Sequence, residues 1–200
     1  IWVGTSYNGI CCQLAKESPF HTLRTRERGD DTDKDIIRAV CVDGNSDVWV
    51  GTRYDGIKLF SLQDGASRQI SHESYVLSFY LPEGSPDTIY AGLYNEGIFS
   101  VNIRNRSIRK LSRNVEANCM LAARNGKIWV ASISGLYLFD PSDGSLERAI
   151  ANDGESILRA LCLHQDRDGH LWVGAKESLR KYVVGEDNRL EEINDSALCG

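Results

Sequence analysis

A short apolar segment with an aromatic second residue recurs five times: Ile1-Trp2-Val3-Gly4, Val48-Trp49-Val50-Gly51, Ile89-Tyr90-Ala91-Gly92, Ile128-Trp129-Val130-Ala131 and Leu171-Trp172-Val173-Gly174. The aromatic residues stand 47, 41, 39 and 43 residues apart. Such periodicity limits the chain to an array of small supersecondary units, none of which buries its apolar faces alone. A period of about 40 residues with this composition favours β-propeller blades over a helical solenoid.

Each unit divides in the same way. A first strand is expected over Ile36–Val42 in one unit and Ile157–Leu163 in another, both alternating apolar runs. A polar turn such as Asp166-Arg167-Asp168-Gly169 leads into the aromatic strand. The next turn carries Asn8-Gly9, Asp55-Gly56, Glu96-Gly97 or Ser134-Gly135; glycine there supplies the positive φ of a tight hairpin. A third strand (Ile57–Phe60, Ile98–Val101, Leu136–Phe139) and a short fourth one such as Ser107–Leu111 complete the unit. The expected fold is therefore all-β, a β-propeller of four-stranded antiparallel blades. About five repeats fall at 1–35, 36–73, 74–114, 115–155 and 156–194, with 195–200 starting a further first strand. A Trp on the second strand fills the space between stacked blades, and burying one contributes about 3 kcal/mol.

These units resemble the two-component regulator propeller repeat, in which an Asp-rich turn with Gly precedes Leu-Trp-Val-Gly-Thr and a Gly-rich hairpin. The nearest matches are Asp166–Gly174 and Val48–Thr52 with Asp55-Gly56-Ile57. Departures are Tyr90 for Trp, Ala131 for Gly, and no hairpin Gly at Ser178-Leu179. The resemblance implies the periplasmic sensor region of a bacterial hybrid two-component regulator. There such repeats form seven-bladed propellers ahead of a membrane span and a histidine kinase, many of them detecting oligosaccharides. It also implies a homodimer through the full-length sensor. The first segment reads as a second strand and Asp195–Gly200 as a first strand. A piece of a seven-bladed ring is expected; the alternative is a five-bladed ring closed by a blade shared between the termini.

Composition narrows the function. A net charge of −5 repels a phosphate backbone, so nucleic acid is not an expected partner. No apolar run approaches the roughly 18 residues of a membrane span, so this region is expected to make no membrane contact. Cys41, Cys119, Cys162 and Cys199 align at one place in the first strands, which favours buried free thiols over disulfides. Cys11 and Cys12 are adjacent on a third strand and point to opposite faces. The four histidines are scattered, and neither a metal site nor a cofactor is expected. Carboxylates fall mainly in turns, where Asp shapes backbone. No nucleophile motif or phosphate-binding glycine loop occurs, so no catalytic residue is assigned.

The loops carry the functional signal. In a blade, the hairpin between strands two and three shares a face with the connection from strand four to the next blade. On that face stand Tyr7 and Asn8, Arg53, Tyr54 and Asp55, and Tyr94 and Asn95. Exposed aromatic rings beside amide and charged groups suit sugar binding, the ring stacking on the apolar sugar face while polar groups take the hydroxyls. The plain structural alternative is that each Tyr packs on its neighbouring blade. An insertion at Thr25–Asp35 would lie on the same face, as a solvated loop or a flap. The expected function is a ligand-sensing propeller recognising an oligosaccharide. Its rivals are a protein-interaction scaffold and a polysaccharide lyase or glycoside hydrolase.

Overall fold

The computed structural model describes residues 36–63, 65–72, 75–113, 115–151, 157 and 159–193, and the backbone of 2–5, 9–12 and 21–23. Its strands form five antiparallel sheets. The first holds β1 (Trp2–Thr5), β2 (Gly9–Cys12) and β3 (His21–Leu23). The second holds β4 (Ile37–Val42), β5 (Val48–Thr52), β6 (Ile57–Phe60) and β7 (Ser67–Ser71). The third holds β8 (Val76–Tyr80), β9 (Thr88–Leu93), β10 (Gly97–Asn102) and β11 (Ile108–Ser112). The fourth holds β12 (Cys119–Ala122), β13 (Ile128–Ser132), β14 (Gly135–Phe139) and β15 (Leu146–Arg148). The fifth holds β16 (Ala160–Gln165), β17 (Leu171–Ala175), β18 (Leu179–Val184) and β19 (Leu190–Glu192). Strand order follows chain order in every sheet, which is the meander of a propeller blade. Among the described residues no helix is long and apolar enough to cross a membrane.

The chain divides into two compact units, Ile1–Tyr94 with Val101–Ile108, and Asn95–Ser100 with Arg109–Gly200. In the first unit every residue of β5 and β6 is buried. Both faces of these strands are covered, which is why their sequence is mainly apolar and the lysine among them, Lys58, is paired with Asp55. Trp49 is fully buried among them. The small residue closing the aromatic segment has a steric cause: a Cβ on Gly51 would lie 2.5 Å from Val76 Cγ1 and 3.2 Å from the Ala39 Cβ. The first strand of the next blade thus sits directly on Gly51. In the second unit β13 is buried throughout, and Trp129 and Ala131 join Leu171, Val173 and Tyr182 in one core.

The first strands carry a device that alternation alone does not reveal. In β4 the register shifts between Ile37 and Ala39, in β8 between Val76 and Ser78, and in β16 between Ala160 and Cys162. Each strand therefore bulges at the same level, with Arg38, Leu77 and Leu161 as the extra residues.

The cysteine expectation needs correction on two points. Cys119 pairs with Ala131 and Cys162 with Gly174, which are equivalent places. Cys41 instead pairs with Trp49, two residues further along its strand. Burial also differs. Cys41 is half-buried, and desolvation, followed by the charge of Asp43, pushes its thiol up to about 12. Cys162 is exposed, with its sulfur set over Gly174. Cys11, Cys12 and Cys199 have no described side chains.

Candidate functional site

The turn between the first and second strands is built around one carboxylate. Asp43 accepts from the amides of Asn45 (2.8 Å) and Asp47 (3.1 Å) through Oδ1 and from Trp49 Nε1 (2.9 Å) through Oδ2. Asp166 repeats the arrangement: its Oδ1 takes the amides of Asp168 and His170, and its Oδ2 takes Trp172 Nε1 at 2.9 Å. The Trp172 indole N–H, foremost among these groups, holds the Asp166 carboxyl well below the usual range. Asp166, Asp168 and His170 also form a cluster of ligand-type atoms. Both Asp166 oxygens, however, already accept hydrogen bonds that shape the turn, so the cluster is a clasp between turn and core.

The other end of the blades is different. In the first unit the hairpin after β5 turns through Arg53, Tyr54, Asp55 and Gly56, and the connection after β7 enters β8 through Tyr75. The amide of Arg53 donates to Ile36 O and that of Tyr94 to Tyr75 O, both at 2.9 Å. These bonds fasten each hairpin to the start of its own first strand. Arg53 and Tyr94 are thus equivalent positions, and Tyr54 is one residue further on. The Arg53 guanidinium lies over two rings, 5.2 Å from the centroid of Tyr54 and 5.2 Å from that of Tyr75. Arg38, the bulged residue, covers Tyr75 at 5.7 Å, and Tyr75 stacks at a tilt on Tyr94 with centroids 4.9 Å apart. Tyr54 and Tyr94 remain 52% and 42% exposed. Three rings and two guanidiniums therefore form one continuous surface.

Several sequence expectations meet here and others do not. Arg53, Tyr54 and Tyr94 come together. Asp55 turns aside: its Oδ2 lies 2.6 Å from Lys58 Nζ, whose side chain is 6% exposed, and its amide donates to Thr52 Oγ1. It neutralises a buried lysine. Asn95, in the second unit, adopts a φ of 59° and lines a shallow cleft of about 430 Å³ with Glu116, Ser132, Ile133 and Ser134. Tyr7, Asn8 and the insertion at 25–35 lie outside the described residues. The sequence reading missed Arg38 and Tyr75. A charge inside an apolar first strand was the available sign of Arg38. Tyr75 was findable by applying the shared-face rule to the connections as well as to the hairpins.

The comparisons fit this architecture. Residues 154–177, which include β16 and the Asp166 clasp, match the two component regulator propeller family. That match takes in one of the five aromatic segments, Leu171–Gly174, and the four-stranded antiparallel sheets are those of a propeller-type fold. Among solved structures, the extracellular domain of BT4673 from B. thetaiotaomicron, a putative hybrid two component system, matches with a TM-score of 0.72 at 17% identity. That match covers 96% of this chain and 26% of that one. The extracellular domain of BT3049, a putative hybrid two component system of the same organism, gives 0.68 at 17% identity over 98% and 27%. PorZ, a surface component of the type-IX secretion system of Porphyromonas gingivalis, gives 0.66 at 15% identity over 94% and 31%. This chain thus spans about a quarter of the length of the two sensor domains. No curated protein matches it.

Proposed function

We propose that this propeller region is the ligand-sensing, periplasmic part of a hybrid two-component regulator, which recognises an oligosaccharide and signals to a histidine kinase elsewhere in the parent protein. The observation that supports it is the surface of Tyr54, Tyr75 and Tyr94. Rings that only joined blades would be covered, yet two of these stay about half exposed while cation stacking and ring stacking fix their planes. A flat, pre-positioned aromatic surface with polar edges is what a sugar ring stacks on. The description of BT4673 and BT3049 as extracellular domains of hybrid two component systems supports the sensor assignment.

Calorimetric titration with a panel of soluble oligosaccharides tests the binding step. One class of sugar should bind, and Tyr54→Ala or Tyr94→Ala should weaken it about tenfold, the loss of about 1.4 kcal/mol of stacking and burial. Failure of every sugar, or binding indifferent to both substitutions, would refute it. Sequencing the flanking coding region tests the signalling step: a membrane span and a kinase should lie in the same reading frame.

A further inference from the structure

We infer that the sugar taken by this face carries an acidic group, a carboxylate or a sulfate ester, received by Arg38 and Arg53. The inference rests on the oligosaccharide reading above and narrows it. It starts from how the two guanidiniums are held. Both are exposed, and both are positioned by stacking on tyrosine rings. Stacking fixes the plane of a guanidinium and leaves its edge, a rigid fork of N–H donors suited to carboxylate or sulfate oxygens, unspent. Three other arginines, one of them also on a tyrosine, spend theirs within the protein. Arg148 also covers a tyrosine, Tyr137, at 5.6 Å, but donates to Ser134 O at 2.8 Å and to Tyr137 Oη at 3.2 Å. Arg104 pairs with Asp87 at 2.6 Å and Arg189 with Asp187 at 2.9 Å. Among the described residues no carboxylate pairs with Arg38 or Arg53. The acidic residue of the same hairpin, Asp55, is committed to Lys58.

Two backbone features place these groups, and both recur in other blades, where the equivalent positions hold Leu77 and Leu161 at the bulge and Arg159 in the left-handed region. Arg38 is the extra residue of a β-bulge, which turns its side chain onto the Tyr75 ring. Tyr75 itself sits at a φ of 75°, a region that bulky side chains seldom enter. What sets this blade apart is the residue each position holds: arginine at the bulge and tyrosine at the left-handed entry bring a guanidinium over a ring. In a protein of net charge −5, two arginines on one aromatic surface with no carboxylate paired to them among the described residues make a local concentration of positive charge. A neutral glycan would leave both without a counter-charge, whereas an acidic one supplies it while its ring stacks on Tyr54 or Tyr94.

Calorimetric titration at low salt tests this with four probes: a short oligogalacturonate, its fully methyl-esterified neutral form, a sulfated oligosaccharide, and polyglutamate as an anion without sugar rings. The variants are Arg38→Ala, Arg53→Ala and Arg53→Lys, with Arg104→Ala as a control that removes an exposed cation elsewhere. One of the acidic sugars should bind, and which one identifies the acidic group. Affinity should fall with added salt, and each Ala variant should lose about 10- to 100-fold. Arg53→Lys, with charge but no fork, should recover only part, and Arg104→Ala should match the unaltered protein. Equal binding of the neutral ester, or Arg variants that bind like the unaltered protein, would overturn the acidic group and leave the sugar reading standing. Polyglutamate binding as tightly as the sugars, with Tyr54→Ala without effect, would overturn both. Absence of binding by either acidic sugar would overturn the acidic group and leave the sugar reading to the wider panel of oligosaccharides.

Discussion

The Asp43 clasp offers the sharpest test of how a blade is held together. Asp43 is 6% exposed and Trp49 is wholly buried, so Asp43→Ala leaves the Trp49 indole N–H without an acceptor in a place water does not reach. A buried donor deprived of its partner costs about 1–3 kcal/mol. The amides of Asn45 and Asp47 lose their bonds to Oδ1 as well. Each is worth about 0.5–1.5 kcal/mol, at the low end here because Asn45 is exposed and its amide can turn to water. The expected destabilisation is about 3 kcal/mol, read from urea denaturation followed by far-ultraviolet circular dichroism. Asp43→Asn should fall between: its carbonyl serves the turn amides while its amide group meets the indole N–H, donor against donor. Adding Trp49→Phe removes the orphaned donor, so the cycle Asp43→Ala with Trp49→Phe should show a favourable coupling of about 1–2 kcal/mol. A loss below about 0.5 kcal/mol for Asp43→Ala, or strict additivity in the cycle, would refute the clasp as a source of stability and reduce the Asp–Trp spacing to a property of the turn alone.

Gly51→Ala should destabilise by about 1–3 kcal/mol through overpacking against Val76, and Val76→Ala in the same protein should relieve part of that loss. Equal melting temperatures for Gly51→Ala and the unaltered protein would show that the blades slide freely past each other there. Asp166 gives a pH signature. Its folded pKa lies below the ordinary value of about 3.9, chiefly because of the Trp172 indole N–H. Its contribution is therefore complete above that value and is lost as pH falls toward the folded pKa. Asp166→Asn should flatten the acid limb of stability below about pH 4; parallel acid limbs for both proteins would contradict this.

Much of the fold was legible because blades repeat. Five aromatic segments, the turn residues between them and the apolar strands leave few other arrangements. What escaped was register. The runs Ile36–Val42 and Ile157–Leu163 match residue for residue as strings, yet Cys41 faces Trp49 while Cys162 faces Gly174. The slip is two residues, and side chains alternate with a period of two, so hydrophobic pattern is blind to it. The clasp is not blind to it. Asp43 and Asp166 each stand six residues before the indole they hold, so counting from the Asp puts Cys41 two residues before it and Cys162 four. The same anchoring shows that Tyr94 corresponds to Arg53 and not to Tyr54, although both tyrosines end on one surface.

That last point bears on how the surface arose in the fold. If the tyrosines were part of the repeat they would occupy one equivalent position, and each would pack in the same way. Instead Tyr54, Tyr75 and Tyr94 come from three non-equivalent places: the second residue of one hairpin, the entry to a first strand, and the first residue of another hairpin. The positions equivalent to Tyr75 hold Ile36 and Arg159, and those equivalent to Arg53 and Tyr94 hold Ile133 and Lys176. The core residues Trp49, Trp129, Val50 and Val130, by contrast, keep their places from blade to blade. The backbone features beneath the cluster do recur, since Leu77 and Leu161 bulge where Arg38 does and Arg159 is left-handed where Tyr75 is, but the side chains that make the cluster stand at unlike positions. Packing shared by every blade accounts for the Trp positions and not for this cluster, which is why the tyrosine and arginine substitutions, rather than the Trp ones, are the test of the proposed recognition.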